Sequence, residues 1–205
     1  TYECQVTISQ DTQHAEQFFN QIETNDENRK YLQNILGYWL TGNTQARNFF
    51  VLYGCGSNAK TVVGMLMQKM LGKMYVQCSD EVFQNIKANN APTPFLACLK
   101  GSRLGFYSEG DTADNMDLNI KTLKRFSGQD PITCRNLYKA PLTFRANCKL
   151  VMATNFVPAL NAEDSIKSRL RYVFFDSVFT ENPKKGEFKK DPEFVEKLQT
   201  IYLNE

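Results

Sequence analysis

The chain has 205 residues, of which 42% are hydrophobic and 22% are charged. This balance is typical of a globular domain and excludes a disordered tail or a fibrous protein. The length is enough for one substantial domain with a small appendage. The net charge is only +2, so binding to nucleic acid would require a local basic patch rather than the field of the whole chain.

The six cysteines are scattered without a C-x-x-C pair, and the chain contains one histidine, which argues against a zinc site. A disulfide framework is possible by count, but a domain of this size needs no such staples. We therefore expect free thiols in a reducing, intracellular compartment. No apolar run reaches the about 18 residues of a membrane helix, and no secretory signal pattern is present, so no membrane partner is expected. Because the sequence begins with Thr1, we expect a fragment of a longer polypeptide.

The first part of the chain, residues 1–45, has the pattern of helices. Apolar residues spaced at i, i+3, i+4 and i+7 predict an amphipathic helix, and they are Leu32, Ile35, Leu36 and Trp39. Thr24–Glu27 fits a capping box, and Gly42 fits a helix stop. We predict a helical lead-in of the collar or oligomerisation type, with a plain packing helix as the alternative for the apolar stripe.

From residue 46 the pattern changes to strands that alternate with helices. Phe49–Tyr53 is a short apolar run that leads directly into a glycine-rich turn and then a helix over 62–71, which is typical of a strand–loop–helix unit. Further strands are predicted at Met74–Gln77, Leu104–Ser108, Lys149–Ala153 and Arg171–Phe175. This alternation predicts an α/β three-layer sandwich with a mainly parallel sheet over 46–178. A charged tail follows over 179–205, with a short helix that opens at Pro192.

The turn after the first predicted strand matches a phosphate-binding loop at every position but one. The loop consists of Gly54, Cys55, Gly56, Ser57, Asn58, Ala59, Lys60 and Thr61. In such a loop, backbone N–H groups and the N-terminus of the next helix bind phosphates. Lys60 would reach the β- and γ-phosphates of ATP, and the Thr61 hydroxyl would bind Mg²⁺. Ala59 stands where the pattern has glycine, at a cost of about 1–2 kcal/mol if its φ is positive, and we expect a weaker affinity for nucleotide.

Two predicted strands end in polar residues that suit nucleotide hydrolysis. Glu109 fits the base that orients and polarises an attacking water, and Ser108 fits a ligand that holds Mg²⁺ through water, with Asp111 nearby. Asn155 fits a contact to the γ-phosphate or to the lytic water. Each assignment has a plainer alternative, which is a solvated strand end for Glu109 and a residue that starts a turn for Asn155.

The segment Ser168–Arg171 precedes the last predicted strand. An arginine at this place would reach the nucleotide of a neighbouring subunit and neutralise charge in the transition state. Arg169 and Arg171 are both candidates, and a surface salt bridge is the alternative.

The order of these motifs resembles the superfamily 3 helicases, which are AAA+ motors encoded by viruses, phages and plasmids. The likeness is to the poxvirus-type primase–helicase of large DNA viruses and to the related C-terminal domain of phage and plasmid primases. The matching segments are Leu36–Gly42 with Gln45, Gly54–Thr61, Ser102–Glu109, Lys124–Asp130 with Ile132–Arg135, Lys149–Asn155 with Pro158, and Arg169–Arg171 with Phe175.

The resemblance implies a ring, usually a hexamer, with ATP bound at the interfaces between subunits. It implies that Glu109 is the catalytic base, Asn155 the sensor and Arg169 the finger that acts in trans. The sequence departs from the family pattern at Ala59 and at Ser168, where an additional arginine is often found. The second departure leaves open whether Arg169 or Arg171 is the finger.

A hairpin is predicted between the acidic strand and the strand that ends at Asn155. Ile132–Cys134 and Leu142–Phe144 have the pattern of its arms, and Asn136–Pro141 would form its tip. The family places a basic hairpin here, facing the pore of the ring. Arg135 and Lys139 would bind backbone phosphates and Tyr138 would stack on a base, which is how proteins commonly hold single-stranded DNA. A solvated turn lysine is the alternative for Lys139.

The sequence therefore predicts an ATP-driven DNA helicase fragment from a viral or phage replication protein. Its expected partners are single-stranded DNA at a replication fork, further copies of itself and a fused primase domain, in the cytoplasm or nucleus of the host cell. One alternative is a ring that grips DNA but hydrolyses slowly. Another is a small-molecule phosphotransferase on a phosphate-loop fold.

Overall fold

The structure is a computed structural model, and it describes residues 13–83, 93–108, 118–156 and 164–194. The helices are α1 (Gln13–Ile22), α2 (Asp26–Leu40), α3 (Lys60–Leu71), α4 (Pro94–Ala97), α5 (Ile120–Gly128) and α6 (Asp164–Lys167). The strands are β1 (Phe49–Tyr53), β2 (Tyr75–Gln77), β3 (Leu104–Ser108), β4 (Pro131–Cys134), β5 (Leu142–Arg145), β6 (Lys149–Thr154), β7 (Leu170–Phe174), β8 (Phe179–Thr180) and β9 (Phe188–Lys189). The predicted α/β class is confirmed.

Five strands form one parallel sheet in the order β2-β3-β6-β1-β7. The inner strand β1 pairs in parallel with β6 on one side and with the edge strand β7 on the other. After β1 the chain crosses to β2 at the far edge of the sheet. It then returns through β3 and places β6 and β7 on the two sides of β1. In parallel sheets a ligand binds beyond the carboxyl ends of the strands at such a switch of direction, which is where the predicted phosphate loop follows β1.

Helices cover both faces of the sheet and give the three-layer sandwich predicted from the sequence. One apolar core joins α1, α2 and α3 to the face that carries Phe50 and Leu52. The other core joins α5 and the β4–β5 hairpin to the face that carries Phe49 and Val51. Because β1 and β6 are buried on both faces, they read as continuous apolar runs rather than as alternating patterns.

Helix α2 begins one residue later than the sequence predicts. The N-cap is Asn25 and not Thr24, because the Asn25 side chain accepts hydrogen bonds from the backbone N–H groups of Glu27 and Asn28. Asparagine at this position satisfies amides that the first helical turn cannot pair internally. The apolar stripe is confirmed as buried, with Trp39 fully inaccessible to solvent.

The C-terminus of α2 is fixed by two cations at the amino-end edge of the sheet. The helix ends through Thr41, which takes an extended conformation, so the predicted stop at Gly42 was also displaced by one residue. Arg103 donates to the Leu40 carbonyl over 2.7 Å. The buried ammonium of Lys149 donates to the Thr41 carbonyl and lies 4.6 Å from the centre of the Tyr38 ring, and burial lowers the pKa of Lys149 to about 8.

Two small sheets lie outside the main one. The predicted hairpin is confirmed, since β4 and β5 pair antiparallel with Ile132 opposite Phe144. The tail differs from its prediction, because β8 and β9 form a parallel pair with Phe179 opposite Phe188. Two-residue strands carry too little pattern to be recognised in a sequence. Most of the helix predicted from Pro192 onward lies outside the described residues, and the predicted domain limits stay a prediction.

Gly105 in β3 offers a test of how tightly the sheet packs. A Cβ atom at this position would meet side-chain atoms of Leu99, Leu150 and Cys78 at 2.8, 2.9 and 3.0 Å. We expect Gly105→Ala to lower the free energy of unfolding by about 1–3 kcal/mol because the core has no room for the methyl group. Denaturant unfolding measures this value.

Gly37→Ala is the matched control, since a Cβ atom at Gly37 has no neighbour within 4 Å. Gly37 lies inside α2, so alanine there should stabilise the helix by up to about 1 kcal/mol. Equal stability changes for the two variants would contradict the packing described for β3.

Candidate nucleotide-binding site

The loop after β1 turns against the end of β7, and this close approach requires glycine. Gly54 has a φ of +152°, and a Cβ atom there would lie 2.2 Å from the carbonyl oxygen of Phe175. A side chain at this position is therefore excluded by backbone that cannot yield. The first glycine of the predicted phosphate loop thus has a geometric reason in this fold.

Asn58 fastens the loop to the rest of the sheet. Its side-chain amide donates to the Phe175 carbonyl over 3.2 Å, and its oxygen accepts from the Lys60 ammonium over 2.9 Å. The side chain is buried, so both hydrogen bonds act where solvent does not compete. The sequence predicts Asn58 as part of the loop but does not predict these two contacts.

Lys60 is the first residue of α3, and its ammonium lies inside the loop. It donates to the carbonyl oxygens of Gly54 and Cys55 over 2.7 and 3.3 Å and to the side-chain oxygen of Asn155 over 3.1 Å. All of its recorded acceptors, including Asn58, are neutral oxygens. Because burial disfavours the charged form, the pKa of Lys60 falls to about 8.

Two residues of the loop adopt left-handed backbone conformations. Ser57 has a φ of +59° and Ala59 a φ of +66°. Ala59 is the N-cap of α3 and makes no side-chain capping hydrogen bond, so the first amides of the helix are not capped by that residue. Ala59 therefore has the positive φ at which alanine costs more energy than glycine.

The ends of β3 and β6 bring further polar groups to the loop. The hydroxyl oxygens of Thr61 and Ser108 lie 3.5 Å apart, and Asn155 follows β6 directly. These three residues, far apart in the sequence, line one cavity because the carboxyl ends of parallel strands lie at the same edge of the sheet. Glu109 and Asp111, which were predicted beside them, lie outside the described residues.

A cavity of about 580 Å³ opens beside the loop. The loop residues 56–61 and the ends of β3 and β6 form part of its lining. Two further segments also line it, and the sequence does not predict either of them as part of the site. These are α1, through Phe18, Gln21 and Ile22, and the tail, through Phe179 and residues 189–192 with Phe194. Neither segment contains a recognisable motif. The one feature of their sequence that indicates packing is the presence of apolar residues outside the predicted sandwich over 46–178.

The two candidate finger arginines differ in their contacts. The Arg169 guanidinium donates to the carbonyl oxygen of Lys124 and to the hydroxyl of Ser127, both over 3.0 Å, which ties it to α5. Arg171 donates to the carbonyl oxygens of Ser168 and Leu170. Neither arginine lines the cavity of its own chain. The alternative of a surface salt bridge does not describe the recorded contacts of either side chain.

The three predicted DNA-binding residues lie together on the hairpin and away from the cavity. Arg135, Tyr138 and Lys139 are exposed, and Tyr138 is completely accessible to solvent at a φ of +57°. The arms are anchored in the core through Ile132 and Phe144. The hairpin therefore presents an aromatic ring and basic side chains on a rigid support.

Other kinds of site find little support among the described residues. No group of three or more histidine, cysteine or acidic side chains in the described ranges is placed to hold a metal ion. The five cysteines in these ranges are free thiols. No helix within residues 13–194, the gaps aside, is both long and apolar enough to span a bilayer.

Residues 52–170 match a family described as a family of unknown function (DUF5906). The chain belongs to this family. The matched span holds the phosphate loop, β3, the hairpin and β6, but neither α1 nor the tail.

The chain is also similar to proteins of large DNA viruses. It is 29% identical over 164 residues to "Putative helicase L207/L206" of Acanthamoeba polyphaga mimivirus, covering 79% of this chain and 17% of that protein. It is 29% identical over 168 residues to "Putative helicase 022R" of Frog virus 3, with 79% and 17% covered. It is 28% identical over 148 residues to "Putative primase C962R" of African swine fever virus, with 69% and 15% covered. The chain thus spans about a sixth of the length of these relatives.

The fold is similar to that of the NrS-1 C-terminal region in its apo structure. The TM-score is 0.63 at 13% sequence identity, and the alignment covers 93% of this chain and 41% of that one. A second apo structure of the same region gives a TM-score of 0.64 at 15% identity, covering 92% and 42%. These likenesses support the phosphate-loop type of three-layer sandwich.

Ala59→Gly tests the strain in the loop. We expect this change to raise the free energy of unfolding by about 1 kcal/mol, because glycine adopts a positive φ without the clash that alanine suffers. Ala97→Gly in α4 is the control, and it should lower the free energy of unfolding by about 0.5–1 kcal/mol. Thermal or urea unfolding measures both, and a destabilised Ala59→Gly would contradict the strained conformation.

Proposed function

We propose that this chain is the ATP-hydrolysing motor of a DNA helicase, of the superfamily 3 AAA+ type, from a viral primase–helicase. The observation that carries the proposal is the buried Lys60 ammonium inside a glycine-containing loop, at the junction of β1, α3 and β6. The similarity to viral proteins named as helicases and a primase supports it. ATP and Mg²⁺ are the proposed cofactors.

The loop would bind the triphosphate through backbone amides and the N-terminus of α3. Lys60 would exchange neutral carbonyl partners for phosphate oxygens, so its charge would be compensated at the β- and γ-phosphates. Asn155, which already contacts the Lys60 ammonium at 3.1 Å, is within reach of the same region and would orient the terminal phosphate or the lytic water. Glu109, which directly follows β3, is the proposed base.

The hydroxyl groups of Thr61 and Ser108 suit magnesium, because this ion prefers oxygen ligands. Their two oxygen atoms lie 3.5 Å apart. Thr61 would bind the ion directly and Ser108 through water. When bound, the ion would neutralise charge on the β- and γ-phosphates.

The hairpin is the proposed grip on single-stranded DNA. Lys139 and Arg135 would bind phosphates without regard to sequence, as a translocating motor requires, and Tyr138 would stack on a base. Self-association into a hexameric ring would place Arg169 or Arg171 at the nucleotide of the neighbouring subunit. A fused primase domain and a place in the host cell during viral replication complete the proposal.

ATP hydrolysis with and without single-stranded DNA is the central experiment. We expect DNA to stimulate hydrolysis, and we expect Lys60→Met to abolish both hydrolysis and tight nucleotide binding. Glu109→Gln should lose hydrolysis, by about 10²- to 10⁴-fold, and keep nucleotide binding. Hydrolysis that stays unchanged in Glu109→Gln would remove that residue as the base.

The same assay examines the hairpin. Tyr138→Ala and Lys139→Ala should keep the basal rate and lose stimulation by DNA, since neither residue lines the cavity. Lys139→Ala should also reduce the slope of log affinity for DNA against log salt concentration by about 0.7. Full stimulation in both variants would exclude the hairpin from the DNA path.

Lys60 also predicts a pH dependence of nucleotide binding. Its pKa of about 8 in the free protein lies below the usual 10.5, whereas bound phosphate favours the charged ammonium. Below pH 8 the lysine is already charged, and binding needs no proton. Above pH 8 each binding event takes up a proton, so the affinity should fall by up to about tenfold per pH unit.

Calorimetric titration in buffers of different ionisation enthalpy measures this proton uptake directly. We expect uptake to rise between pH 8 and pH 9 in the unchanged protein and to be absent in Lys60→Arg, whose guanidinium stays charged over this range. A proton uptake that is the same in both proteins would show that another group titrates.

A further inference from the structure

The cavity is larger and more varied than a phosphate site needs. The phosphate-facing groups, which are the loop amides with Lys60, Thr61 and Asn155, form one part of its lining. The remaining walls come from α1 and from the tail, and they include the aromatic rings of Phe18, Phe179 and Phe194. The cavity volume of about 580 Å³ lies in the usual range of pockets that bind an entire small molecule.

The aromatic walls from the two segments contact each other. The rings of Phe18 in α1 and Phe194 in the tail are stacked, with their centres 5.3 Å apart and their planes inclined by 24°. Phe18 is buried, whereas Phe194 is half-buried. The stacked rings cover each other's facing sides, so the aromatic face that remains for a ligand belongs to the half-buried Phe194, with the buried Phe18 behind it.

The tail is fastened to the phosphate loop itself. The backbone N–H of Phe179 donates to the Ser57 carbonyl over 2.8 Å. The parallel pairing of β8 and β9 then carries the chain to Lys189 and Lys190, which also line the cavity. The aromatic wall is thus held in a fixed relation to the loop that would bind phosphates.

A nucleotide needs a polar site and an apolar site within one cavity. Its phosphates require amides and cations, and its base offers a flat π-face that stacks on aromatic rings with little regard to which base it is. The half-buried amide of Gln21 in the same lining supplies a donor and an acceptor for the edge of the base.

We infer that α1 and the tail form the nucleobase site, with Phe194, backed by Phe18, as its stacking surface and Phe179 closing it beside the loop. This inference rests on the proposed nucleotide-binding function. It assigns two segments to the active site that both lie outside the matched family span of 52–170. The family core would then hold the phosphates, and its flanking segments would hold the base.

Comparing ATP with inorganic tripolyphosphate tests the inference, because the second ligand has phosphates and no base. Calorimetry with the full chain and Mg²⁺ gives both affinities. We expect Phe194→Ala to weaken ATP binding by about tenfold and to leave tripolyphosphate binding within about twofold. Phe194→Tyr, which keeps the ring, should recover the affinity for ATP.

Two further variants separate this effect from general damage. Phe174→Ala removes the same side chain from the edge strand β7, where it is 47% exposed and does not line the cavity, so its affinity for ATP should be unchanged. Phe18→Leu keeps most of the apolar volume in the buried position and removes the ring that backs Phe194, so it should weaken ATP binding less than Phe194→Ala does and leave tripolyphosphate binding unchanged. Lys60→Met should weaken both ligands together.

Each result decides between the two levels of the proposal. Binding of neither ligand by the unchanged protein would overturn the nucleotide-binding function and the base site with it. An unchanged affinity for ATP in Phe194→Ala would overturn the base site and leave a phosphate site in place. A parallel loss of both ligands in Phe194→Ala would show that the tail supports the loop and does not bind the base.

Discussion

The candidate site depends on a buried ammonium group whose recorded partners are all neutral. Lys60 is held by carbonyl and amide oxygens from the loop and from the end of β6, so one side chain joins two neighbouring strands and the start of α3. Such a charge is costly to bury without an ion partner, and its lowered pKa records that cost. An arriving anion would relieve it. The loop is therefore shaped in advance and electrostatically incomplete, which is the condition under which phosphate binds well.

Those parts of the molecule that depend on local pattern could be predicted from the sequence. Strands buried on both faces, such as β1 and β6, appear as uninterrupted apolar runs, and the loop that follows β1 has a fixed spacing of glycine, lysine and threonine. Because all strands of the main sheet are parallel, knowing where each strand ends was enough to bring Ser108 and Asn155 to the loop. The arms of the hairpin followed from apolar residues on either side of a turn.

The rest could not be predicted, either because two local choices were equally good or because the deciding contact is distant in the sequence. Thr24 and Asn25 are both good N-cap residues, so the sequence pattern alone does not choose between them. Phe179 belongs to a two-residue strand whose partner is nine positions away, with no alternating pattern to reveal it. The contacts of Arg169 with α5 join residues more than forty positions apart, and an arginine before a strand is equally compatible with solvent, with a neighbouring helix or with a second subunit.

The contact between Phe18 and Phe194 also affects access to the cavity. It joins the first described helix to the last described residue, so it closes a loop that contains the whole sheet. Phe18 belongs to the buried core on the α1 side of the sheet, whereas Phe194 is only partly buried and packs against that core from outside. Opening it therefore costs far less than unfolding the sheet, and local openings of this kind occur at low free energy while the core stays intact. Release of Phe194 from Phe18 would thus open the cavity on the side of the tail, with α1, β1 and their neighbours in place.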